Sequence, residues 1–504
     1  MCPLHQAGLS RCLDAFIIAL NQASDGERWY TSTKELQLAS LEFCAACRSA
    51  PTLHVTVEKG TPTRLWMGAP ARETRSAKRR SSTRVPVVRA HRVTWKLSAS
   101  ALRNMGDVFL KVKRFTLDED FNGDVRGVTW PRQLQSLTFG VNFNQTITEV
   151  NWPASLESLM FRGALKQPLQ GALWPVSLRT LYLFGIERPL VEVSWPPSLQ
   201  MLYLLGTVPN ESIGEVAWPV SLKHIHFGRG FNQPIDTVAW PPSLEHLDLG
   251  IDFNQPIAGV EWPTSLVNLC LAGTFDHAIN MVTWPDSLKI IGFGFNFNQP
   301  LAGVRWPNSL QQLSFESNSQ HLAGDIAWPA SLRKLKLGKY FNQPIAGATW
   351  PPSLENLTLG RDFNQPIAEV AWPPLLQRLS FGMHFNQPIA GISWPDSLQQ
   401  IAFSGQTEMD MADAMKNIAL PLSMQENFGL LSYFNQPILG ISWPSSLSKL
   451  TFGECFNQPV DGVAWPASLS ELAFSRDFSL PDSSFEWPAS LQQLTIARRS
   501  DEPL

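Results

Sequence analysis

Three histidines and one aspartate recur at a spacing that brings their side chains together. The chain reads LKHIHFG and, one repeat later, LEHLDLG, so that His224 aligns with His246 and His226 aligns with Asp248. Imidazole nitrogens and a carboxylate are ligands that zinc accepts, so a metal site, and with it a metal-dependent enzyme, is one hypothesis. Because polar pairs across neighbouring strands are common on exposed sheets, we predict instead no metal, no cofactor and no catalytic residue.

Two tyrosines precede these histidines in the same alignment. Tyr182 and Tyr203 take the position of His226 in the two preceding copies, which read LYLFG and LYLLG. Exposed aromatic side chains grouped on a sheet are typical of the anchors of protein interfaces. The sequence therefore predicts a partner-binding patch that consists of Tyr182, Tyr203, His224, His226, His246 and Asp248.

No established catalytic motif accompanies this patch. The sequence lacks a P-loop, a dinucleotide-binding glycine pattern, the zinc-protease pattern HExxH and the nucleophile pattern GxSxG. We therefore predict a non-enzymatic protein that binds other proteins. Arg333, Lys334 and Lys336 form a basic spot that can meet an acidic partner, but it is too small to predict nucleic-acid binding.

These side chains are carried by a 22-residue unit, which reads FNQPIDTVAWPPSLEHLDLGID over 231–252. Sixteen Trp-Pro pairs mark its copies; the interval from Trp174 to Trp195 is one residue short, and the next, to Trp218, is one residue long. A fixed period of this length predicts a solenoid, in which each coil contacts only its neighbours.

The pattern LxxLxL within the unit predicts one strand per coil. Leu247 and Leu249 are two residues apart and face inward, so His246 and Asp248 face outward. Gly250 allows the chain to bend off the strand. The recurring Asn and Gln after each Phe predict a stack of amides that satisfies backbone groups in the turns. Seven apolar side chains per unit are predicted to be buried, namely Phe231, Ile235, Val238, Trp240, Leu244, Leu247 and Leu249.

The chain divides into segments of different composition. We predict a small helical region over 1–57, a basic and flexible linker over 58–109, the repeat array over 110–497 and a polar tail over 498–504. The interval from Trp394 to Trp443 is disturbed, and Leu420-Pro421 stands there in place of Trp-Pro. We therefore predict an irregular coil with an insertion at 404–430.

Charge and cysteine content limit the kinds of protein that this chain can be and the compartment in which we expect it. The net charge is −3, but the segment before the array is rich in Arg, so the repeats themselves are acidic. Six irregularly spaced cysteines do not predict a disulfide-rich scaffold. Neither a signal peptide nor a membrane-spanning stretch is recognisable. We expect a protein inside the cell, cytoplasmic or nuclear, that has no membrane contact and binds nucleic acid at most through its basic linker.

The recurring words FNQPI and Trp-Pro-x-Ser-Leu resemble the FNIP repeat family, a leucine-rich-repeat-like group, over 110–497. The β-rich solenoid expected from the period is then a right-handed arc of about 18 coils with one parallel sheet on its concave face. The resemblance implies a role in protein interaction, often beside an F-box. An alternative function is therefore an F-box-like ubiquitin-ligase substrate adaptor, in which helices around Leu13–Leu20 and Leu36–Pro51 recruit the ligase.

Overall fold

The computed structural model describes side chains over 113–316, 326–403, 432–474, 478–479 and 485–496, and the backbone of Val93–Trp95. The predicted helical region, most of the linker, the insertion and the polar tail lie outside these residues. Those boundaries, and the F-box hypothesis that depends on the first of them, stay predictions.

The described residues fall into two compact units, Met1–Arg229 and Gly230–Leu504. The first contains a parallel sheet in which each strand pairs with the next one in the chain. Its strands are β1 (Val93–Trp95), β2 (Arg114–Leu117), β3 (Ser136–Phe139), β4 (Ser158–Ala164), β5 (Thr180–Phe184), β6 (Met201–Thr207) and β7 (His224–Arg229).

The second unit repeats this arrangement, again with parallel pairing between successive strands. Its strands are β8 (His246–Asp248), β9 (Asn268–Leu271), β10 (Ile290–Phe293), β11 (Gln312–Phe315), β12 (Lys334–Lys336), β13 (Asn356–Thr358), β14 (Arg378–Ser380), β15 (Gln400–Ala402), β16 (Lys449–Thr451), β17 (Glu471–Phe474) and β18 (Gln493–Ile496).

The predicted leucine-rich-repeat-like parallel solenoid is thus confirmed. The described residues make about 15 turns, so the predicted count of about 18 coils is not confirmed. No helix occurs among these residues, and accordingly none in this part of the chain could span a membrane.

The strands on either side of the disturbed interval are neighbours in the sheet, because Gln400 on β15 pairs directly with Lys449 on β16. The ladder also crosses this place without interruption, because the Asn435 N–H donates to Asn386 Oδ1 at 3.0 Å. The predicted irregular coil with its insertion at 404–430 lies outside the described residues and stays a prediction.

The core of each coil consists of the predicted apolar positions. All seven side chains of the unit over 231–252 are buried, with Trp240 the most exposed at 8%. Burial of each such side chain stabilises the fold by about 1.5–3 kcal/mol. Rings at equivalent positions stack from coil to coil, as with Phe231 and Phe253, whose centroids are 6.1 Å apart. Gly250 has φ 80°, a left-handed conformation that favours glycine, which agrees with the predicted bend.

Two hydrogen-bond ladders connect successive coils. Asn232 Oδ1 accepts the backbone N–H of Asn254 at 2.8 Å and Gln255 Nε2 at 3.1 Å, which confirms the predicted stack of amides. On another side of the coil, the Ser287 hydroxyl donates to the Leu266 carbonyl at 2.7 Å. Both contacts recur through the array, so the turns satisfy their backbone groups without a second sheet.

Candidate protein-binding surface

The candidate surface lies on β5, β6 and β7 of the first unit. The registers place Tyr182 opposite Tyr203 and Tyr203 opposite His226, as the sequence alignment predicted. Leu181 and Leu183, which flank Tyr182, are both 0% exposed. The buried leucines therefore fix the backbone of this strand, while the outward side chain between them is free of any role in the core.

The aromatic rings of this row stack on each other. The Tyr182 and Tyr203 centroids are 4.6 Å apart with an interplanar angle of 6°. The His226 ring lies 6.3 Å from that of Tyr203 and is tilted by 44°. Neighbouring strands are about 4.8 Å apart, so side chains that stand upright on the sheet reach this stacking distance without strain.

Stacking buries the central ring of the row. Tyr203 is 2% exposed, whereas Tyr182 is half-buried. Burial raises the pKa of Tyr203 to about 12, with a smaller contribution from Tyr182, and burial also raises the pKa of Tyr182. Both phenols therefore stay protonated at physiological pH and can donate hydrogen bonds.

Apolar side chains extend the row, and the sequence analysis did not include them in the patch. Phe184 follows Tyr182 at the next outward position and is 41% exposed. Its ring lies over Gly206, where an added Cβ would approach Phe184 Cε1 to 2.8 Å. Met201 Sδ lies 3.9 Å from the Tyr203 hydroxyl. The two-residue alternation of a strand was the available signal for Phe184, since it stands two positions after Tyr182.

The remaining predicted residues lie around or beyond this row. His224 is half-buried on β7, opposite Met201 of β6. His246 and Asp248 lie on β8 of the second unit, opposite Asn268 and Cys270 of β9. Asp248 Oδ1 accepts the backbone N–H of Gly250 at 2.9 Å.

The structure therefore brings together Tyr182, Tyr203 and His226 in one row of the first unit. The membership of His246 and Asp248 in the same patch stays a prediction. The rival metal hypothesis, which requires histidines of both units, stays a hypothesis.

The family comparison agrees with the repeat pattern. The model of the FNIP repeat matches 209–252, 320–362, 341–371 and 363–406, all within the predicted array. The chain carries FNIP repeats. No curated protein sequence matches the chain. The family model thus shows FNIP repeats over these residues.

Solved structures of leucine-rich-repeat proteins are similar to the chain. The circular leucine-rich-repeat protein CroV588 is 31% identical, with 79% of this chain and 61% of that chain covered and a TM-score of 0.59. A chain of the Toll–Spatzle complex from Drosophila is 12% identical, with coverage of 81% and 55% and a TM-score of 0.48. An internalin, InlF, from Listeria monocytogenes is 13% identical, with coverage of 79% and 89% and a TM-score of 0.32.

Only the likeness to CroV588 is close enough to support an inference, and it supports the repeat fold. The chain spans 61% of the length of CroV588 and 55% of the matched Toll–Spatzle chain. The fold of this chain is a leucine-rich-repeat-like solenoid, and such solenoids are typical of protein-interaction scaffolds.

Proposed function

We propose that the chain is a non-enzymatic protein-interaction scaffold whose first unit binds a protein partner through its aromatic row, in which Tyr182, His226 and Phe184 contact the partner and the buried Tyr203 supports the rings on either side of it. The observation that carries this proposal is the stacked aromatic row on outward strand positions, where the repeat does not dictate the residue. The repeat fold adds support, because solenoids use their extended sheet faces for binding.

The row is preorganised for binding. Tyr203 packs against Tyr182 on one side and His226 on the other, so these two half-buried side chains have little rotamer freedom to lose when a partner docks. Ordering a flexible side chain at an interface costs about 0.5–1.5 kcal/mol, and a stacked ring avoids most of that cost. Tyr is also among the residues that dominate the free energy of protein interfaces.

The chemistry of the row indicates what the partner offers. Phe184 presents an apolar ring that is 41% exposed, and its burial would favour an apolar or aromatic side chain opposite. The Tyr182 hydroxyl is protonated at physiological pH and can donate a hydrogen bond to a carbonyl or carboxylate. A protein segment with an apolar anchor beside an acceptor fits both.

The first experiment is a proximity or pull-down survey in cells. The intact protein is compared with a Tyr182→Ala/Tyr203→Ala/His226→Ala variant, and partners that depend on the row are expected to be lost. Thr138→Ala is the matched control, because Thr138 lies in the same outward row two strands away and carries no aromatic ring. It is expected to keep every partner.

A second variant separates binding from folding. Tyr182→Phe/Tyr203→Phe keeps both rings and their stacking, so it is expected to keep partners held by apolar contact and to weaken those held by the hydroxyls. Thermal unfolding of each variant shows whether the solenoid is intact. An unchanged partner list for the folded triple variant would refute the assignment of binding to this row.

A further inference from the structure

A second surface with different chemistry lies on β12, β13 and β14 of the second unit. The sequence predicted a basic spot at Arg333, Lys334 and Lys336, but two of these three side chains form ion pairs in the structure. The Arg333 guanidinium forms an ion pair with Glu355, and the Lys336 ammonium forms one with Glu316. Two of the three charges are therefore balanced within the array.

The third residue of the spot, Lys334, defines the surface together with two further cations. Lys334, Lys339 and Arg378 form no ion pair with any residue that the structure describes. Arg378 and Lys339 are exposed, and Lys334 is half-buried. Lys339 Nζ lies 5.1 Å from the centroid of the Tyr340 ring, which is 41% exposed. This positive surface stands on an array whose net charge is otherwise negative.

Lys334 and Arg378 stand in one row of outward positions. The registers pair Lys334 with Asn356 and Asn356 with Arg378, so the two cations are two strand spacings, about 10 Å, apart. Between them the half-buried Asn356 side chain makes no hydrogen bond with any described residue. An amide that both donates and accepts is thus placed midway between two positive charges.

This spacing matches that of one type of peptide. A polyproline II helix has three residues per turn and rises about 3.1 Å per residue, so side chains three residues apart face the same side about 9 Å apart. Such a backbone has no internal hydrogen bonds, and the Asn356 amide can therefore pair with it. Carboxylates at those two positions would each receive a charge-assisted hydrogen bond.

We propose that the face of β12–β14 binds an extended acidic peptide segment, with carboxylates three residues apart on Lys334 and Arg378 and its backbone over Asn356. The surface is distinct from the aromatic row of the first unit, and it selects by charge and spacing where that row selects by apolar contact. Lys339 adds to the positive potential that attracts the segment.

The test measures the binding of a synthetic peptide to the full chain by fluorescence anisotropy. The probe is a labelled octapeptide of proline with glutamates at its third and sixth positions. Binding that weakens with added salt is expected. Lys334→Gln and Arg378→Gln are each expected to lower the affinity about tenfold, since each removes one charge-assisted contact.

The controls make the result decisive. Lys449→Gln changes a lysine of the same outward row that already pairs with Glu471 at 3.1 Å, and it is expected to leave binding unchanged. A peptide with adjacent glutamates, of equal charge, is expected to bind more weakly. The Tyr182→Ala/Tyr203→Ala/His226→Ala variant is expected to bind the probe normally, so this test and the partner survey can fail independently.

Three outcomes would overturn the proposal. They are no binding at millimolar peptide, equal binding of the two glutamate spacings, and equal binding by the intact chain and a folded Lys334→Gln/Arg378→Gln variant. A single-stranded oligothymidylate that bound more tightly than the peptide and was lost in the same variants would reassign the surface to a phosphate ligand.

Discussion

The contribution of the asparagine ladder to stability can be tested at a single backbone amide. Asn364 Oδ1 accepts the backbone N–H of Asn386 at 2.9 Å and Gln387 Nε2 at 3.1 Å. The substitution Asn364→Ala removes this oxygen and leaves the partly buried Asn386 N–H without its acceptor. Gln387 Nε2 keeps only its contact with the Asn364 carbonyl, at 3.1 Å.

The expected magnitude follows from the cost of an unpaired donor. A buried N–H that loses its partner costs about 1–3 kcal/mol. At about 1.4 kcal/mol per factor of ten, the local opening of this turn becomes roughly 5- to 150-fold more frequent. Because each coil contacts only its neighbours, the effect is expected in the coils around 364–390 and not in the first unit.

The chain supplies its own control for the substitution. In another coil of the ladder the asparagine is replaced by Asp276, whose Oδ1 accepts the Asn298 N–H at 2.9 Å and Gln299 Nε2 at 3.0 Å. Asn364→Asp is therefore expected to keep both contacts and to change the opening far less than Asn364→Ala does.

Amide hydrogen exchange read by mass spectrometry measures this opening directly. Peptides that contain Asn386 are expected to lose protection in Asn364→Ala and to keep it in Asn364→Asp, while peptides from the first unit stay unchanged. Equal protection in the two variants would show that the side-chain oxygen does not hold the turn, and the reasoning about the ladder would be wrong.

Three further predictions concern single side chains. The folded-state pKa of Tyr203, about 12, lies above the ordinary 10.0, so the stability that its burial contributes is complete below pH 10.0 and is lost as the pH rises toward 12. In a near-ultraviolet titration, the tyrosine transition at the highest pH should be absent from Tyr203→Phe. An unchanged titration would contradict this. Ser287→Ala removes the bond to the Leu266 carbonyl and is expected to cost about 0.5–1.5 kcal/mol, seen as a lower urea midpoint, whereas no shift would mean that water replaces the bond. Gly391 has φ 75°, and an added Cβ would meet open space. Gly391→Ala is therefore expected to cost about 1–2 kcal/mol from backbone strain alone, and Gly391→Asn less, measured by the same urea midpoint. Equal midpoints for the two variants would count against strain as the cause.

Much of the fold could be predicted because each position of the 22-residue unit occurs many times in the sequence, which makes its apolar or polar character plain. Leu247 and Leu249 are buried and His246 and Asp248 half-buried, as the two-residue alternation requires. The alignment of Tyr182 with Tyr203 and His226 follows from the same repeat, although the intervals around it are one residue short and one residue long. The extra length is absorbed farther along β6, where the register shifts between Leu204 and Thr207.

Other features depend on conformations that a period does not encode. The near-complete burial of Tyr203 arises from ring stacking, and the position of the Phe184 ring depends on the absence of a side chain at Gly206. Arg333 has a carboxylate partner and Arg378 has none among the described residues, a difference that depends on side-chain geometry.

The contact between Phe403 and Ser432 has a consequence for how such a chain can change. Phe403 directly follows β15, and the Ser432 hydroxyl donates to its carbonyl, so these two residues are held together although they are far apart in the sequence. With these two residues held together, a flexible segment between them costs a closure free energy that grows with the logarithm of its length, about 0.6 kcal/mol for each doubling. This junction can therefore accept inserted sequence of very different lengths, even a foreign domain, while the coils on either side remain in register.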